Sequence, residues 1–207
     1  MLLHFFKKRH SKNTLAVVQA GFPSCLHDDV RKVMAEIGPA KIEPHVIASY
    51  CFITEEGQVT VPYRVYFPQL SAPQTGSLTQ TQIPILAGIM IRHHSGYHRE
   101  TWAQQLLAYP TPWTTPFVAV LLGDYVSQIL STINKHLNSR WETLFHDFAQ
   151  KNPKWLRPLS HRILTYWDIY YRRSIPRLTD YPGYLVAQRL GLWDKKAAPR
   201  LTKKQTD

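Results

Sequence analysis

SGYHRETWAQQLLAYPTPWTTPFVAVLLGDYVSQILSTINKHL, residues 95–137, decides the fold. Two segments within it open alike. Ser95, Gly96 and Tyr97 lead into Trp102, Leu106 and Leu107, and about 28 residues later Gly123, Asp124 and Tyr125 lead into Ile129, Leu130 and Ile133. Apolar residues three and four apart line one side of an α-helix, so both segments read as amphipathic helices. Between them, Pro112 to Pro116 introduces Phe117, Val118, Val120, Leu121 and Leu122, a short apolar helix. A short helix, a tight turn and a longer helix make up the unit of an α-solenoid.

The helical period extends outward from this stretch. It predicts helices over Gln80 to Ile91, Gly96 to Ala108, Thr115 to Leu122, Tyr125 to Leu137, Arg140 to Gln150, Pro158 to Arg173 and Tyr184 to Leu190. Upstream, Val30, Val33, Met34 and Ile37 recur at helical spacing over Asp28 to Ile37, and Gly38–Pro39 stops that helix. HVIASYCFI and QVTVPYRVYF are rich in β-branched and aromatic residues and flank Glu55–Glu56–Gly57, which predicts a hairpin. In its second strand Val59, Val61, Tyr63, Val65 and Phe67 alternate with Thr60, Pro62, Arg64 and Tyr66, and Pro62 places that strand at an edge or a bulge. Residues 68–78 carry proline, glycine and serine without a period and read as a loop.

The expected fold is therefore mostly α (α+β), a helical repeat pair with an N-terminal β-hairpin region and C-terminal capping helices. The expected organisation is a basic arm over 1–12, a single domain over 13–194 and a basic disordered tail over 195–207. Within that domain, 13–78 holds the helix and hairpin and 79–194 is helical around 95–137.

The chain has 207 residues, 44% of them hydrophobic and 12% aromatic, enough to bury a core of its own. No run approaches the roughly 20 apolar residues of a membrane span, and MLLHFFKKRH places its charge after its apolar residues, the wrong order for a secretory signal. Cys25 and Cys51 are the only cysteines, which argues against a disulfide framework and for a reducing compartment, hence a cytoplasmic location.

Charge is segregated along the chain. Residues 13–150 hold 8 Lys and Arg against 10 Asp and Glu, whereas residues 151–207 hold 13 against 4 and residues 1–12 carry Lys7, Lys8, Arg9 and Lys12. An excess gathered at the ends suggests an anionic partner, whether nucleic acid, acidic protein or anionic membrane surface. Short charged ends also serve solubility alone.

The 95–137 stretch resembles the HEAT-like repeats of bacterial proteins, whose inner helix opens with an Asp-x-Val-Arg-like turn. Asp124 and Val126 match that turn, with Ser127 where arginine is usual. In the first copy Arg99 is present, and Ser95 and His98 replace the Asp and Val. The resemblance covers about 45 residues and implies a concave surface that binds protein or nucleic acid, with no built-in chemistry.

Catalytic signatures are sparse. There is no P-loop, no GxGxxG and no GxSxG. His93, His94 and His98 cluster, but no cysteine or carboxylate pair completes a tetrahedral metal set, so no metal and no cofactor is expected. Cys25 with His27 and Cys51 with His45 form no recognisable nucleophile motif, and Cys51 sits in an apolar strand as a small hydrophobe would.

The most informative segment outside the repeat is PLSHRILTYWDIYYRRSIPRLTDYPGY, residues 158–184. As a helix beginning at Pro158, it aligns Leu159, Ile163, Trp167 and Tyr170 in an apolar stripe and His161, Thr165, Asp168 and Arg172 in a polar one. Arg162, Arg172, Arg173 and Arg177 among aromatics suit an anion-facing surface, with Lys195, Lys196, Lys203 and Lys204 beyond them. The aromatics are expected in the core.

The leading function is a non-enzymatic adaptor that binds an unidentified protein partner or nucleic acid. Alternatives are phosphate contacts by the C-terminal arginines, a HEAT-like DNA glycosylase with Asp168 as its test residue, and a toxin-neutralising immunity protein.

Overall fold

A computed structural model describes residues 14–37, 49–66 and 76–194. The expected N-terminal arm and C-terminal tail, with Lys195, Lys196, Lys203 and Lys204, lie outside the described residues. The chain is mostly helical with one small antiparallel sheet, and it divides into two compact units, Met1–Val120 and Leu121–Asp207.

Among the described residues the first unit opens on α1, helical over 14–19, which the helical period had not predicted. A 3-10 turn at Ser24–Leu26 leads into α2, His27–Ile37, which buries Val30, Val33 and Ile37. β1, Ser49–Thr54, pairs antiparallel with β2, Gly57–Pro62, in the register Thr54↔Gly57, so Glu55–Glu56 forms a two-residue loop. Gly57 closes it at φ 116°, a backbone region open to glycine. Val59, Val61 and Val65 face inward as the alternation predicts, Tyr63 is half-buried, and Phe67 lies outside the described residues. Cys51 is the exception on β1. It is exposed, because the inward residue there is its neighbour Phe52.

α3, Gln82–Met90, is apolar all round and buried nearly throughout, as the central helix of a packed unit must be. α2 and α4, Gly96–Leu107, pack against it. α5, Thr115–Leu121, brings Phe117 to 4.6 Å from Phe22 between ring centroids. Two arginines are interior: Arg92 donates to the Pro62 and Tyr63 carbonyls, and Arg99 donates to the His93 and His94 carbonyls. Each guanidinium thus ties a loop or strand end to a helix through backbone acceptors.

In the second unit, α6 (Ser127–His136), α7 (Ser139–Lys151), α8 (Pro153–Tyr166) and α9 (Pro182–Arg189) form the core. Asn138 caps α7 by accepting the Trp141 N–H, and Trp141, Phe145 and Phe148 bury its apolar face. Asn152 ends α7 and precedes Pro153, which takes the first helical position of α8. Pro158, expected to start this helix, lies inside it instead. Proline at that point removes one donor without ending the helix, since Pro153 already supplies the start. α9 packs against α6 and α8. Arg189 fastens this arrangement, donating from Nε to Glu142 Oε1 and from its terminal nitrogens to the Asn134 and Leu137 carbonyls.

Candidate binding face of the C-terminal unit

α8 does not end at Tyr166. It continues as a single π-helical turn, Trp167–Tyr171, closed by the Arg172 N–H donating to the Trp167 carbonyl at 2.8 Å. A π turn holds more residues than an α turn and is frequent at functional positions. The apolar stripe Leu159, Ile163 and Trp167 is buried, but the extra residue moves the next inward position from Tyr170 to half-buried Tyr171. Tyr170, expected in the core, is 60% exposed, and Ile169 is 65% exposed. The polar stripe His161, Thr165, Asp168 and Arg172 is exposed as predicted.

Tyr170 is part of a tyrosine cluster. Its ring centroid lies 6.3 Å from Tyr125 and 6.0 Å from Tyr166, and Tyr125 lies 6.2 Å from Tyr166. Tyr125 is partly exposed on the loop before α6 and Tyr166 is half-buried. Tyr171 anchors the cluster from below. Its hydroxyl donates to the Tyr125 carbonyl at 2.7 Å and accepts the Ser127 N–H at 3.1 Å, fixing the loop that presents Tyr125.

The arginines singled out from sequence fall into three settings. Arg162 is half-buried, with Cδ and Nη1 3.0 and 3.4 Å from where a Cβ on Gly123 would stand, so a glycine there leaves it room. Arg172 is engaged: it pairs with Asp168 at 2.8 Å and its guanidinium sits 5.5 Å from the Trp167 ring centroid. Arg173 and Arg177 are exposed and have no ion-pair partner among the described residues. Asp168, the test residue for base chemistry, is a surface carboxylate held by Arg172.

Beneath this face Tyr181 is fully buried and stacks on Tyr171 at 5.3 Å. Its hydroxyl has no hydrogen-bond partner among the described residues. Burial pushes its pKa up, and Tyr171, Asp124 and Tyr166 add to the shift in the same direction. Such a group stays protonated across the physiological range.

The other candidates are packed differently. His93 is buried and accepts the Ser95 N–H at Nδ1, so the neutral ring carries its proton on Nε2. His94 is exposed and stacks on Tyr66 at 5.1 Å, and the His98 ring lies 4.8 Å from His93. Among the described residues no group of three or more His, Cys, Asp or Glu is arranged to hold a metal ion. Cys25 and Cys51 are free and exposed; His27 beside Cys25 is bonded to the Phe22 carbonyl, and His45 lies outside the described residues.

Sequence reasoning missed Tyr125 and Ile169 as surface groups and Tyr181 as a buried one. The signal available was TYWDIYYRR, residues 165–173, where aromatics stand too densely for one helical face. Compared with models of protein families, curated proteins and solved structures, the chain finds no match. Among the described residues no helix is long and apolar enough to cross a membrane.

Proposed function

We propose that this chain is a non-enzymatic binding protein whose C-terminal unit carries the binding face, and that its partner is anionic. One observation carries this: the π turn leaves Ile169 and Tyr170 exposed, with the Tyr170 ring 6.3 Å from that of Tyr125, and exposed, unengaged Arg173 and Arg177 follow within seven residues of Tyr170 in the chain. Large apolar and aromatic side chains left exposed together mark interaction sites, and tyrosine and arginine are the residue types that dominate binding energies. The positive excess of residues 151–207 supports an anionic partner.

A HEAT-like pair over 95–137 is part of the same proposal. What supports it is that Trp102 and Leu106, four residues apart on α4, and Ile129 and Ile133, four residues apart on α6, are all buried. Two free cysteines, both exposed, favour a reducing compartment, and we place the protein in the cytoplasm on that ground.

The test is co-purification of the tagged full chain from cells that express it naturally, followed by mass spectrometry and nuclease digestion of the bound material. Wild type should retain a partner that Tyr170→Ala releases. Equal retention by both would remove the C-terminal face from the proposal.

A further inference from the structure

Resting on that assignment of the binding face, we infer that its ligand is single-stranded nucleic acid, stacked on Tyr170 and Tyr125 and held through its phosphates by Arg173 and Arg177. Three features of the face select this ligand class together.

The first is the aromatic pair. Tyr125 and Tyr170 are both exposed, stand 6.3 Å apart between centroids, and belong to a triangle completed by Tyr166. Bases with free π-faces stack on such rings regardless of sequence. In a duplex those faces are occupied by neighbouring base pairs, so a duplex would use the arginines and leave the tyrosines idle.

The second is how rigidly the rings are presented. Tyr171 fixes the Tyr125 loop by two hydrogen bonds, and Tyr170 is carried on the π turn that Trp167 anchors by donating from Nε1 to the Ile175 carbonyl. A platform already ordered loses little entropy on binding.

The third is the division of labour among the arginines. Arg172 is held by Asp168 and the Trp167 ring, whereas Arg173 and Arg177 face solvent. An acidic peptide would be served by the arginines as well as a phosphate backbone would. It would gain nothing from stacking, and the tyrosines therefore favour nucleic acid over acidic protein.

The experiment is a fluorescence-anisotropy titration of the full chain with labelled single strands of about 12 nucleotides, oligo(dT) and oligo(rU), and with a duplex of equal length, starting at about 50 mM salt. Wild type should bind either single strand at least about tenfold tighter than the duplex. Tyr170→Ala should weaken single-strand binding about 5- to 150-fold, the loss of one stacked base. Arg173→Gln/Arg177→Gln should flatten the logarithmic salt slope by about 1.4, two phosphate contacts at roughly 0.7 each. Arg172→Gln should leave the slope within about 0.3 of wild type on the same rule. Circular dichroism of each variant confirms that the fold is retained. No binding, equal binding of duplex and single strand, an unaltered Tyr170→Ala variant, or displacement of the oligonucleotide by polyglutamate at equal charge each overturns the inference. Its failure is separable from failure of the binding face. If oligonucleotides do not bind but the natural partner survives nuclease and is still lost in Tyr170→Ala, the face stands and its ligand is a protein; if nothing bound depends on Tyr170, both fall.

Discussion

Tyr181 and Tyr171 stack face to face, and removing one oxygen atom from each should move stability in opposite directions. The Tyr181 side chain is fully buried and its hydroxyl has no hydrogen-bond partner among the described residues. A buried polar group without a partner costs about 1–3 kcal/mol of desolvation that folding does not recover. Tyr181→Phe keeps the ring, its stacking at 5.3 Å and its packing, and deletes only that cost. It should stabilise the chain by about 1–3 kcal/mol, a rise in Tm of roughly 2–4 °C for each kcal/mol in a chain of this size. Tyr171→Phe instead breaks the bonds to the Tyr125 carbonyl and the Ser127 N–H. Water can reach part of that site, so the expected cost is about 0.5–1.5 kcal/mol. Urea unfolding followed by far-ultraviolet circular dichroism measures both, with the m-value checked for constancy. A destabilised Tyr181→Phe would refute the reasoning, because the hydroxyl would then have a partner worth more than its desolvation.

Because the folded-state pKa of Tyr181 lies above the ordinary value, its contribution to stability is present below pH about 10 and is lost as the pH rises further. The stability gap between Tyr181→Phe and wild type should therefore widen by about 1.4 kcal/mol between pH 8 and 11, measured by urea titration at both. Gly183→Ala should destabilise by about 1–3 kcal/mol: its Cβ would fall 2.7 Å from Tyr181 Cε1 and 3.1 Å from Leu130 Cδ1, outweighing alanine's helix preference of about 1 kcal/mol. Thermal melting checks the sign, and an increase in Tm would mean that the Tyr181 ring can yield. Leu106→Ala and Ile133→Ala, each at a wholly buried position, should each cost about 2–5 kcal/mol in denaturant unfolding. A cost below about 0.5 kcal/mol at either would place that side chain at the surface.

The helical elements were legible because their apolar spacing is regular: Val30, Val33 and Ile37 in α2 and Ile129, Leu130 and Ile133 in α6 are buried on the faces that periodicity assigns. The hairpin was legible from its turn, where Gly57 adopts the positive φ that glycine favours. α1 was not, because among its described residues Val18 is the one buried apolar side chain, which sets no helical period. Tyr170 was misplaced for a more instructive reason. A 3.6-residue period assumes an unbroken α-helix, and one π turn displaces every residue after it, so the rule fails at the segment that carries the proposed site. Pro158 misled because proline is read as a helix start, whereas Pro153 already serves that role five residues earlier. Cys51 shared an apolar strand with Phe52, and only the pairing register decides which of two neighbours faces the core. The interior placement of Arg92 and Arg99 was not legible, because their acceptors are backbone carbonyls, those of Pro62 and Tyr63 for Arg92 and of His93 and His94 for Arg99.

The most direct measurement of the binding face compares Tyr170→Ala, Arg173→Gln and Arg172→Gln for retention of the natural bound material. All three residues are exposed within a few positions of one another, so general effects on folding or net charge should treat the two arginine variants alike. Retention should fall for Tyr170→Ala and Arg173→Gln and stay near wild type for Arg172→Gln, whose guanidinium is already held by Asp168 and Trp167. Equal loss for both arginine variants, or full retention by Tyr170→Ala, would contradict a binding face built on the π turn.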